Sequence, residues 1–507
     1  VAALGPGLVN ALIAVAAVNI PFFARNIRGI TVGLAHREFV DAARLAGMSH
    51  ARIVLTELLP NVLPVIVVAM STTVGWMILE TAGLSFLGLG SQPPDPDLGS
   101  MLGQAKASLI TDPHVSYPPG IMIFLIVMSI NLLGDGVRDA LDPRLRSGAL
   151  TRPAPATRVV RKGPAPASQG HGILELRGLQ TEFQVRDRVY RAVDNVSLSV
   201  RPGECLGLVG ESGSGKSVTA LSIMGLVASP PGVITGGAAW FEGEDLIGAR
   251  YGKLRALRGD RIAYIFQDPL STLHPLMRVG DQIVEAVRVH HRISNRAARD
   301  RALDLLRQVR IPHPKSRIDA YPHELSGGMR QRVGIAMALA NDPEVIIADE
   351  PTTALDVTVQ AQILELLQEL RRERGLALIF ITHDFGVVSQ LCDRVAVMYA
   401  GRVVEEGPTA EILSAPAHPY TALLIACVPE PGLGRRELPV IPGGPPALDN
   451  LPPGCPFADR CPKVRPNCRH GEVRLMGEDG RAVRCLYPEA FIAGAPAPVR
   501  ELERATG

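Results

Sequence analysis

A glycine-rich run between Gly210 and Ser217 is the segment of the sequence with the clearest chemistry. It reads GESGSGKS and follows the apolar stretch 204–210, which is typical of a buried strand. Glycines let the backbone curl so that its N–H groups surround phosphate oxygens, while a lysine adds positive charge and a serine hydroxyl can ligate Mg²⁺. The run therefore predicts a phosphate-binding loop whose ligand-contacting residues are Gly210, Ser212, Gly213, Ser214, Gly215, Lys216 and Ser217.

A second apolar run, 345–348, ends in two carboxylates, Asp349 and Glu350. A strand that ends in Asp-Glu is usually no more than a solvated strand end. Beside a phosphate-binding loop, however, Asp349 is expected to hold Mg²⁺ together with Ser217, and Glu350 to act as the general base that polarises a water molecule. The pair therefore predicts hydrolysis of a bound nucleotide.

The segment 325–332, which reads LSGGMRQR, resembles the signature sequence of ATP-binding-cassette (ABC) ATPases. Its small residues, Ser326, Gly327 and Gly328, are expected to begin a helix whose N-terminal dipole faces phosphate. In that family the motif completes the nucleotide site of the opposing subunit. The resemblance therefore implies ATP held between two such domains, and a second ABC ATPase subunit as a partner.

Further motifs of the same family occur in the family's order along the chain. Gln267 matches the Q-loop glutamine, which the resemblance implies is catalytic and is also one of the Mg²⁺ ligands. Asp356 matches the D-loop aspartate, in the segment 354–356. His383, after the β-branched run 378–382, matches the switch histidine that contacts the terminal phosphate. The resemblance thus implies ATP and Mg²⁺ as ligands, with Glu350, His383 and Gln267 as catalytic residues.

An aromatic residue upstream of the phosphate-binding loop, Tyr190, resembles the family's adenine-stacking residue. Phe183 is an alternative for that role. Packing in the hydrophobic core is the other interpretation of Tyr190, because aromatic side chains dominate protein cores.

The length of 507 residues and the alternation of patterns predict several domains. Between residues 173 and 429, β-branched runs alternate with helical patterns, which indicates an α/β fold with a largely parallel sheet. Two stretches rich in Pro, Gly and Ala, 147–170 and 429–454 at the start of the C-terminal extension, interrupt the pattern and are interpreted as linkers. The predicted order is an α-helical transmembrane permease fragment (1–146), a linker (147–170), an α/β P-loop ABC ATP-binding domain (171–429) and a small cysteine-rich C-terminal extension (430–507).

Three apolar stretches in the first third, 8–23, 62–79 and 118–134, approach the ~20 residues that a membrane helix needs. The arginine-rich segment between the first two is expected to be cytoplasmic, which places the ATPase on the cytoplasmic face of the cell (inner) membrane and the helices in membrane lipid. An odd number of spans then puts Val1 outside, so we expect further spans upstream. A net charge of only +2 gives no reason to expect nucleic acid as a partner.

The segment 41–47, which reads DAARLAG, resembles the cytoplasmic EAA loop of binding-protein-dependent importer permeases. Asp41 stands where the family usually has Glu, Ala42 follows it, and Gly47 is expected to form a tight turn after a short amphipathic helix. In that family the loop docks beside the residue that corresponds to Gln267. The run LSFLGLG at 84–90 resembles the second permease of dipeptide, oligopeptide and nickel importers.

These resemblances imply a subunit that couples ATP hydrolysis to uptake of peptides or a related solute, nickel included. The implied partners are a second permease subunit and an extracytoplasmic solute-binding protein. Two alternatives stay open: an ABC ATPase with a non-functional permease remnant, and an ABC ATPase that takes no part in transport. An exporter is less consistent with the sequence, because exporters have long intracellular helices rather than an EAA loop.

Four cysteines, Cys455, Cys461, Cys468 and Cys485, crowd into the C-terminal extension with the spacing C-x5-C-x6-C-x16-C. Disulfides are disfavoured in a reducing cytosol, so a metal centre is expected. Structural zinc sites usually have paired C-x2–4-C knuckles, which this segment lacks, whereas spacings in iron–sulfur proteins vary more widely. The stretch 453–462 also resembles the C-terminal extension of peptide-importer ATPases, some of which hold a [4Fe–4S] cluster. The cluster is therefore favoured over zinc, in a structural role.

Overall fold

The computed structural model describes residues 5–35, 37–92, 94–141, 156–161, 163–185, 187–268, 272–353, 355–428, 439–477 and 480–490. The chain divides into two compact units, Val1–Thr151 and Arg152–Gly507.

The N-terminal unit is helical. Its α-helices are α1 (Leu8–Ala35), α2 (Glu38–Leu45), α3 (His50–Ile53), α4 (Leu59–Phe86), α5 (Leu98–Ala105) and α6 (Tyr117–Leu141). A π-helical turn, Val54–Leu58, joins α3 to α4, and α4 packs against α1, α5 and α6. Two segments of the described chain, Leu8–Ala35 and Pro113–Gly136, are long and apolar enough to cross a membrane. In each of them, only 11% of the most apolar stretch is buried.

The predicted apolar stretches fall within α1, α4 and α6, but the first helix is longer than predicted. It continues beyond residue 23 through Arg25 and Arg28 to Ala35. Arginine ends an apolar run without ending a helix, because its helix propensity is among the best. The arginine-rich segment predicted as a loop therefore begins inside α1.

The C-terminal unit is an α/β fold, as predicted. Its strands are β1 (Arg158–Val159), β2 (Leu174–Val185), β3 (Arg188–Val200), β4 (Cys205–Val209), β5 (Gly232–Phe241), β6 (Glu244–Asp245), β7 (Ile262–Ile265), β8 (Val345–Asp349), β9 (Ala377–Thr382), β10 (Arg394–Tyr399), β11 (Arg402–Pro408) and β12 (Ala482–Val483). The larger sheet has the order β12-β11-β10-β4-β9-β8-β7, parallel from β10 to β7 and antiparallel at β11 and β12. The smaller sheet has the order β1-β5-β2-β3, with β6 on β5.

Helices cover one face of the larger sheet and the smaller sheet covers the other. The helices of this unit are α7 (Lys216–Ile223), α8 (Tyr251–Leu257), α9 (Val279–His290), α10 (Asn295–Gln308), α11 (Pro314–Arg317), α12 (Gly327–Ala338), α13 (Val357–Arg374), α14 (Phe385–Leu391), α15 (Thr409–Ser414) and α16 (Pro419–Ala426). Of these, α7 and α8 pack in the core shared with the smaller sheet. On β4, Leu206 and Leu208 point into the core shared with the smaller sheet, while Cys205 and Val209 point into the core under the helices. Because both faces are covered, the parallel strands are continuous apolar runs in the sequence.

The predicted linker 147–170 and the predicted C-terminal extension both contain residues that pack on the α/β unit. Arg158–Val159 adds a parallel strand to β5, and the Thr157 side chain donates a hydrogen bond to the carbonyl of Val227 at 2.8 Å. In the C-terminal extension, β12 pairs with β11, and Phe457 is buried in the main core. The extension thus belongs to the same compact unit as the ATPase fold, and the boundaries between the four predicted segments remain predictions.

Candidate nucleotide site

The glycine-rich loop, residues 210–217, connects β4 to α7. The Lys216 ammonium folds back and donates hydrogen bonds to the carbonyls of Gly210 (2.7 Å) and Glu211 (3.0 Å). Gly215 has φ +101°, and a Cβ there would lie 2.3 Å from the carbonyl oxygen of Ala192. Only glycine avoids both the strain and the collision, so the loop keeps this curled shape.

The loop presents polar groups that suit an anion. Ser214 Oγ is buried without a hydrogen-bond partner in the described part of the chain. The cap residue of α7, Gly215, has no side chain to bond the first N–H groups of that helix. Burial lowers the pKa of Lys216, although the carboxylates of Glu350 and Asp349 partly oppose the shift. A phosphate chain would satisfy these groups, as at other helix N-termini.

Asp349 ends β8 and joins the phosphate loop. Ser217 Oγ donates a hydrogen bond to Asp349 Oδ1 at 2.9 Å, and Tyr264 Oη donates one to Oδ2 at 2.8 Å. Burial raises the pKa of Asp349. A carboxylate beside a hydroxyl provides the oxygen ligands that Mg²⁺ prefers. Tyr264, on β7, was not predicted, because an aromatic residue in an apolar strand looks like core.

Glu350 follows Asp349 and is surrounded by polar side chains. Gln267 Nε2 and Thr353 Oγ1 each donate a hydrogen bond to its Oε2 at 3.0 Å, and His383 Nδ1 lies 3.5 Å from its Oε1. Its φ of +43° is in the left-handed region, and its backbone N–H donates to the carbonyl of Ile381 at 3.0 Å. Such strain in a non-glycine residue is concentrated at functional sites.

The phosphate loop, Gln267, Glu350 and His383 line one open cavity of about 920 Å³. Its apolar wall includes Tyr190 and Phe183, which are opposite each other on β3 and β2, so both aromatic candidates face the nucleotide position. Leu448 completes this wall, and its carbonyl accepts the N–H of Arg191 at 3.2 Å. Sequence reasoning missed Leu448, because it lies in a Pro/Gly-rich stretch that was interpreted as a linker.

The signature residues form the start of α12 and do not line this cavity. Ser326 caps the helix and accepts the N–H of Met329 at 3.4 Å, and Gly327 and Gly328 are its first residues. A Cβ on Gly328 would lie 2.5 Å from Cγ1 of Val359 on α13, so the close packing requires glycine there.

The D-loop residue Asp356 also lies apart from the cavity lining. It caps α13, where its Oδ1 accepts the N–H of Val359 at 2.9 Å. Ala354, in the same predicted motif, lies outside the described residues. The predicted site residues therefore form two sets: the phosphate loop, carboxylates and switch histidine meet in one cavity, and the signature and D-loop residues lie elsewhere.

The residues predicted for the EAA-like loop belong to the N-terminal unit. Asp41 and Ala42 lie in α2, although the side chain of Ala42 is outside the described set, and Asp41 forms an ion pair with Arg44 at 2.8 Å. Gly47 follows α2 with φ +76°, and its N–H donates to the carbonyl of Arg44 at 3.0 Å. Glycine favours this left-handed turn.

Four thiols, Cys455, Cys461, Cys468 and Cys485, line one small cavity of about 20 Å³. Three of the sulfurs accept an N–H from the residue two positions later: Phe457, Lys463 and Tyr487. Burial raises the pKa of Cys455 to about 11 and that of Cys485 to about 12. Across the described residues, no three His, Cys, Asp or Glu side chains are close enough together to hold a metal ion as they stand.

Three protein families match successive parts of the chain. Residues 1–147 match the binding-protein-dependent transport system inner membrane component, residues 193–353 match the ABC transporter family, and residues 404–468 match the oligopeptide/dipeptide transporter C-terminal region. The last match includes the first three of the four clustered cysteines.

Curated relatives match about 62% of the chain. A probable peptide ABC transporter ATP-binding protein, y4tR, of Sinorhizobium fredii is 51% identical over 62% of this chain and 94% of its own length. The probable D,D-dipeptide transport ATP-binding protein DdpD and the dipeptide transport ATP-binding protein DppD of Escherichia coli are each 48% identical over 62% of this chain and 97% of their own lengths. The chain therefore belongs to the ABC transporter ATP-binding protein family, carries a permease-family segment ahead of that ATPase, and couples ATP hydrolysis to transport.

Proposed function

We propose that this chain is a subunit of an importer that takes up peptides, with nickel as the alternative cargo. One observation carries the proposal: a complete phosphate-binding and carboxylate cavity lies on the same chain as a segment of the importer-permease family. The relatives that match the ATPase are named for peptide, D,D-dipeptide and dipeptide transport, which supports a peptide as the solute.

The two sides of the cavity suggest how ATP would be oriented. The wall of Tyr190, Phe183 and Leu448 offers apolar and aromatic surface for the base. The N–H groups of residues 210–217 and the Lys216 ammonium then lie at the phosphates, where they supply hydrogen bonds and positive charge.

Hydrolysis follows from the groups around Glu350. Its carboxylate takes a proton from the attacking water as general base, while Gln267 and His383, both beside the carboxylate, hold the water and the terminal phosphate in place. Ser217, Asp349 and Gln267 are the side chains that would hold Mg²⁺, which neutralises charge on the phosphates.

The position of the signature residues supports a two-ATPase assembly. Ser326, Gly327 and Gly328 begin a helix, yet they are not part of the phosphate cavity of their own chain. The N-terminus of α12 would meet phosphate only on a partner, where it completes that partner's site. A second ATPase subunit, a second permease and an extracytoplasmic solute-binding protein are the partners of this proposal.

The N-terminal unit would lie in the cell membrane with the ATPase on the cytoplasmic side. Apolar side chains cover its surface: Trp76 is 60% exposed and Phe124 is 64% exposed. Asp41, Ala42 and Gly47, in α2 and the turn after it, form the proposed EAA-like loop of this unit.

The four clustered cysteines would hold a structural [4Fe–4S] cluster, with zinc as the alternative. The support is the convergence of the four thiols on one cavity and the N–H···S hydrogen bonds to three sulfurs, which favour the thiolate form and partly oppose the effect of burial on the pKa. Protein purified without oxygen should contain iron and acid-labile sulfide, and Cys461→Ser should lose both. Cys427→Ser, outside the cluster, is the matched control, and stoichiometric zinc in a colourless protein would establish the alternative.

Reconstitution tests the function directly. The chain is incorporated in lipid vesicles with a second ATPase subunit, the second permease and a peptide-loaded binding protein, and both ATP hydrolysis and peptide uptake are measured. We expect the loaded binding protein to stimulate both. Hydrolysis without uptake would indicate a permease remnant, and a chain that stays out of the membrane fraction would indicate an ATPase without a transport role.

A further inference from the structure

The phosphate loop is held from outside by an arginine of the C-terminal extension. The guanidinium of Arg460 forms a two-pronged ion pair with Glu211, with Nη1–Oε2 at 2.8 Å and Nη2–Oε1 at 2.9 Å. Glu211 lies in the loop between Gly210 and Ser212, whereas Arg460 lies far along the chain between Cys455 and Cys461. Paired bonds of this kind fix direction as well as distance.

Arg460 is itself held rigidly. Its side chain is 7% exposed, and besides the ion pair it donates hydrogen bonds to Tyr399 Oη (3.2 Å) and the carbonyl of Pro442 (2.9 Å). The guanidinium also lies over the rings of Tyr399 and Phe457, at 5.8 and 5.9 Å from their centroids. A buried charge with this many partners keeps one position, because any other position would leave it unpaired.

The backbone of Glu211 is fixed by a second contact. Its N–H donates to Tyr420 Oη at 2.9 Å, and its carbonyl accepts from Lys216 Nζ at 3.0 Å. The ring of Tyr420 packs against Tyr399 and Phe457, with centroids 4.7 and 5.3 Å away. The aromatic group that supports Arg460 thus also holds the peptide of the residue that Arg460 binds.

We propose that Arg460 is a positioning residue of the nucleotide site: through Glu211 it holds the phosphate loop in the shape that binds ATP. The C-terminal extension then sets nucleotide affinity, although Arg460 does not line the nucleotide cavity. The inference rests on the proposed binding of ATP in this cavity. A second observation supports the proposal: Leu448, in the same extension, forms part of the cavity wall.

The test compares nucleotide affinity in Arg460→Met, Glu211→Gln and the double variant of the full chain. A fluorescent ATP analogue reports the Kd, and the assembled complex reports KM and kcat. Each single variant should raise Kd and KM about tenfold, the size expected for loss of a charge-assisted pair, with kcat changed less than about twofold. The double variant should lose no more than either single one, because both changes break the same interaction. Arg460→Lys should recover part of the affinity.

The matched control is Arg469→Met. Arg469 pairs with Asp459 in the same extension, but its side chain is 51% exposed and it does not contact the phosphate loop. Affinity of Arg460→Met equal to that of Arg469→Met would overturn the proposal. So would Glu211→Gln if it lowered the melting temperature and left Kd unchanged, since that would make the pair purely structural. Failure of the parent chain to bind nucleotide would instead refute the proposed function.

Discussion

The phosphate cavity and the start of α12 are two parts of one α/β unit that differ in completeness. In the cavity, each catalytic side chain already has partners from its own chain: Ser217 bonds Asp349, and Gln267 bonds Glu350. At α12, the Ser326 side chain bonds only the N–H of Met329 among the described residues, and the helix start is not part of the cavity. In the proposed function, the first region binds nucleotide by itself, while the second acts only on the site of another ATPase subunit.

The largest loss of activity is expected at the general base in the phosphate cavity. Glu350→Gln should keep ATP binding and lower hydrolysis by ~10²–10⁴, because it removes the general base and leaves the phosphate loop intact. Lys216→Ala should abolish tight binding instead. Equilibrium binding and single-turnover hydrolysis separate the two, and Glu365→Gln, an exposed carboxylate on α13, is the control. Parental hydrolysis by Glu350→Gln would disprove the assignment of the base.

A smaller effect is expected at the start of α12. Ser326→Ala should lower hydrolysis by the assembled complex roughly ten- to a hundredfold, the size of a lost hydrogen bond to a charged group. Affinity of the isolated chain for ATP should not change, because Ser326 is outside the cavity.

Ser294→Ala is the matched control for that prediction. Ser294 caps α10 in the same way and accepts the N–H of Ala297 at 3.2 Å, so its loss costs a similar ~1 kcal/mol of folding stability. If Ser294→Ala lowered hydrolysis as much as Ser326→Ala, the effect would be one of stability. If Ser326→Ala weakened ATP binding by the isolated chain, the start of α12 would contribute to the nucleotide site of its own chain, contrary to the prediction.

The smallest effect concerns the wall of the cavity. Tyr190→Ala should weaken ATP binding about two- to tenfold, since stacking of an aromatic ring contributes about 0.5–1.5 kcal/mol. Phe183→Ala tests the alternative residue in the same titration, and Tyr251→Ala, 45% exposed on α8, is the control. If only Phe183→Ala lowered the affinity for ATP, Phe183 and not Tyr190 would be the residue that stacks on the adenine.

Sequence predicted best where a site is built from one continuous segment. The phosphate loop, the end of β8 and the start of α12 each follow from a local pattern of glycines, apolar runs and caps. The α/β class followed as well, because strands buried on both faces leave continuous apolar runs.

The sequence did not predict the contacts between segments that lie far apart along the chain. Arg460 and Glu211 are separated by 249 positions, and no local pattern marks an arginine as the partner of a phosphate loop. Tyr264 and Leu448 were missed for the same reason, since a tyrosine in an apolar strand and a leucine in a Pro-rich stretch have ordinary local explanations. The end of α1 was also missed, because an arginine ends an apolar run and not a helix.

The short strand β12 has a consequence for solubility. It pairs with β11 at Glu405 and Glu406, and the N–H of Arg484 continues the contact by donating to the carbonyl of Val404 at 2.8 Å. The long strand β11 thereby has no open edge along this stretch, where unpaired backbone groups would otherwise template pairing with another chain. A chain shortened before Ala482 would expose that edge. We therefore expect proteolysis of the C-terminal extension before Ala482 to make the ATPase unit self-associate through the exposed edge of β11.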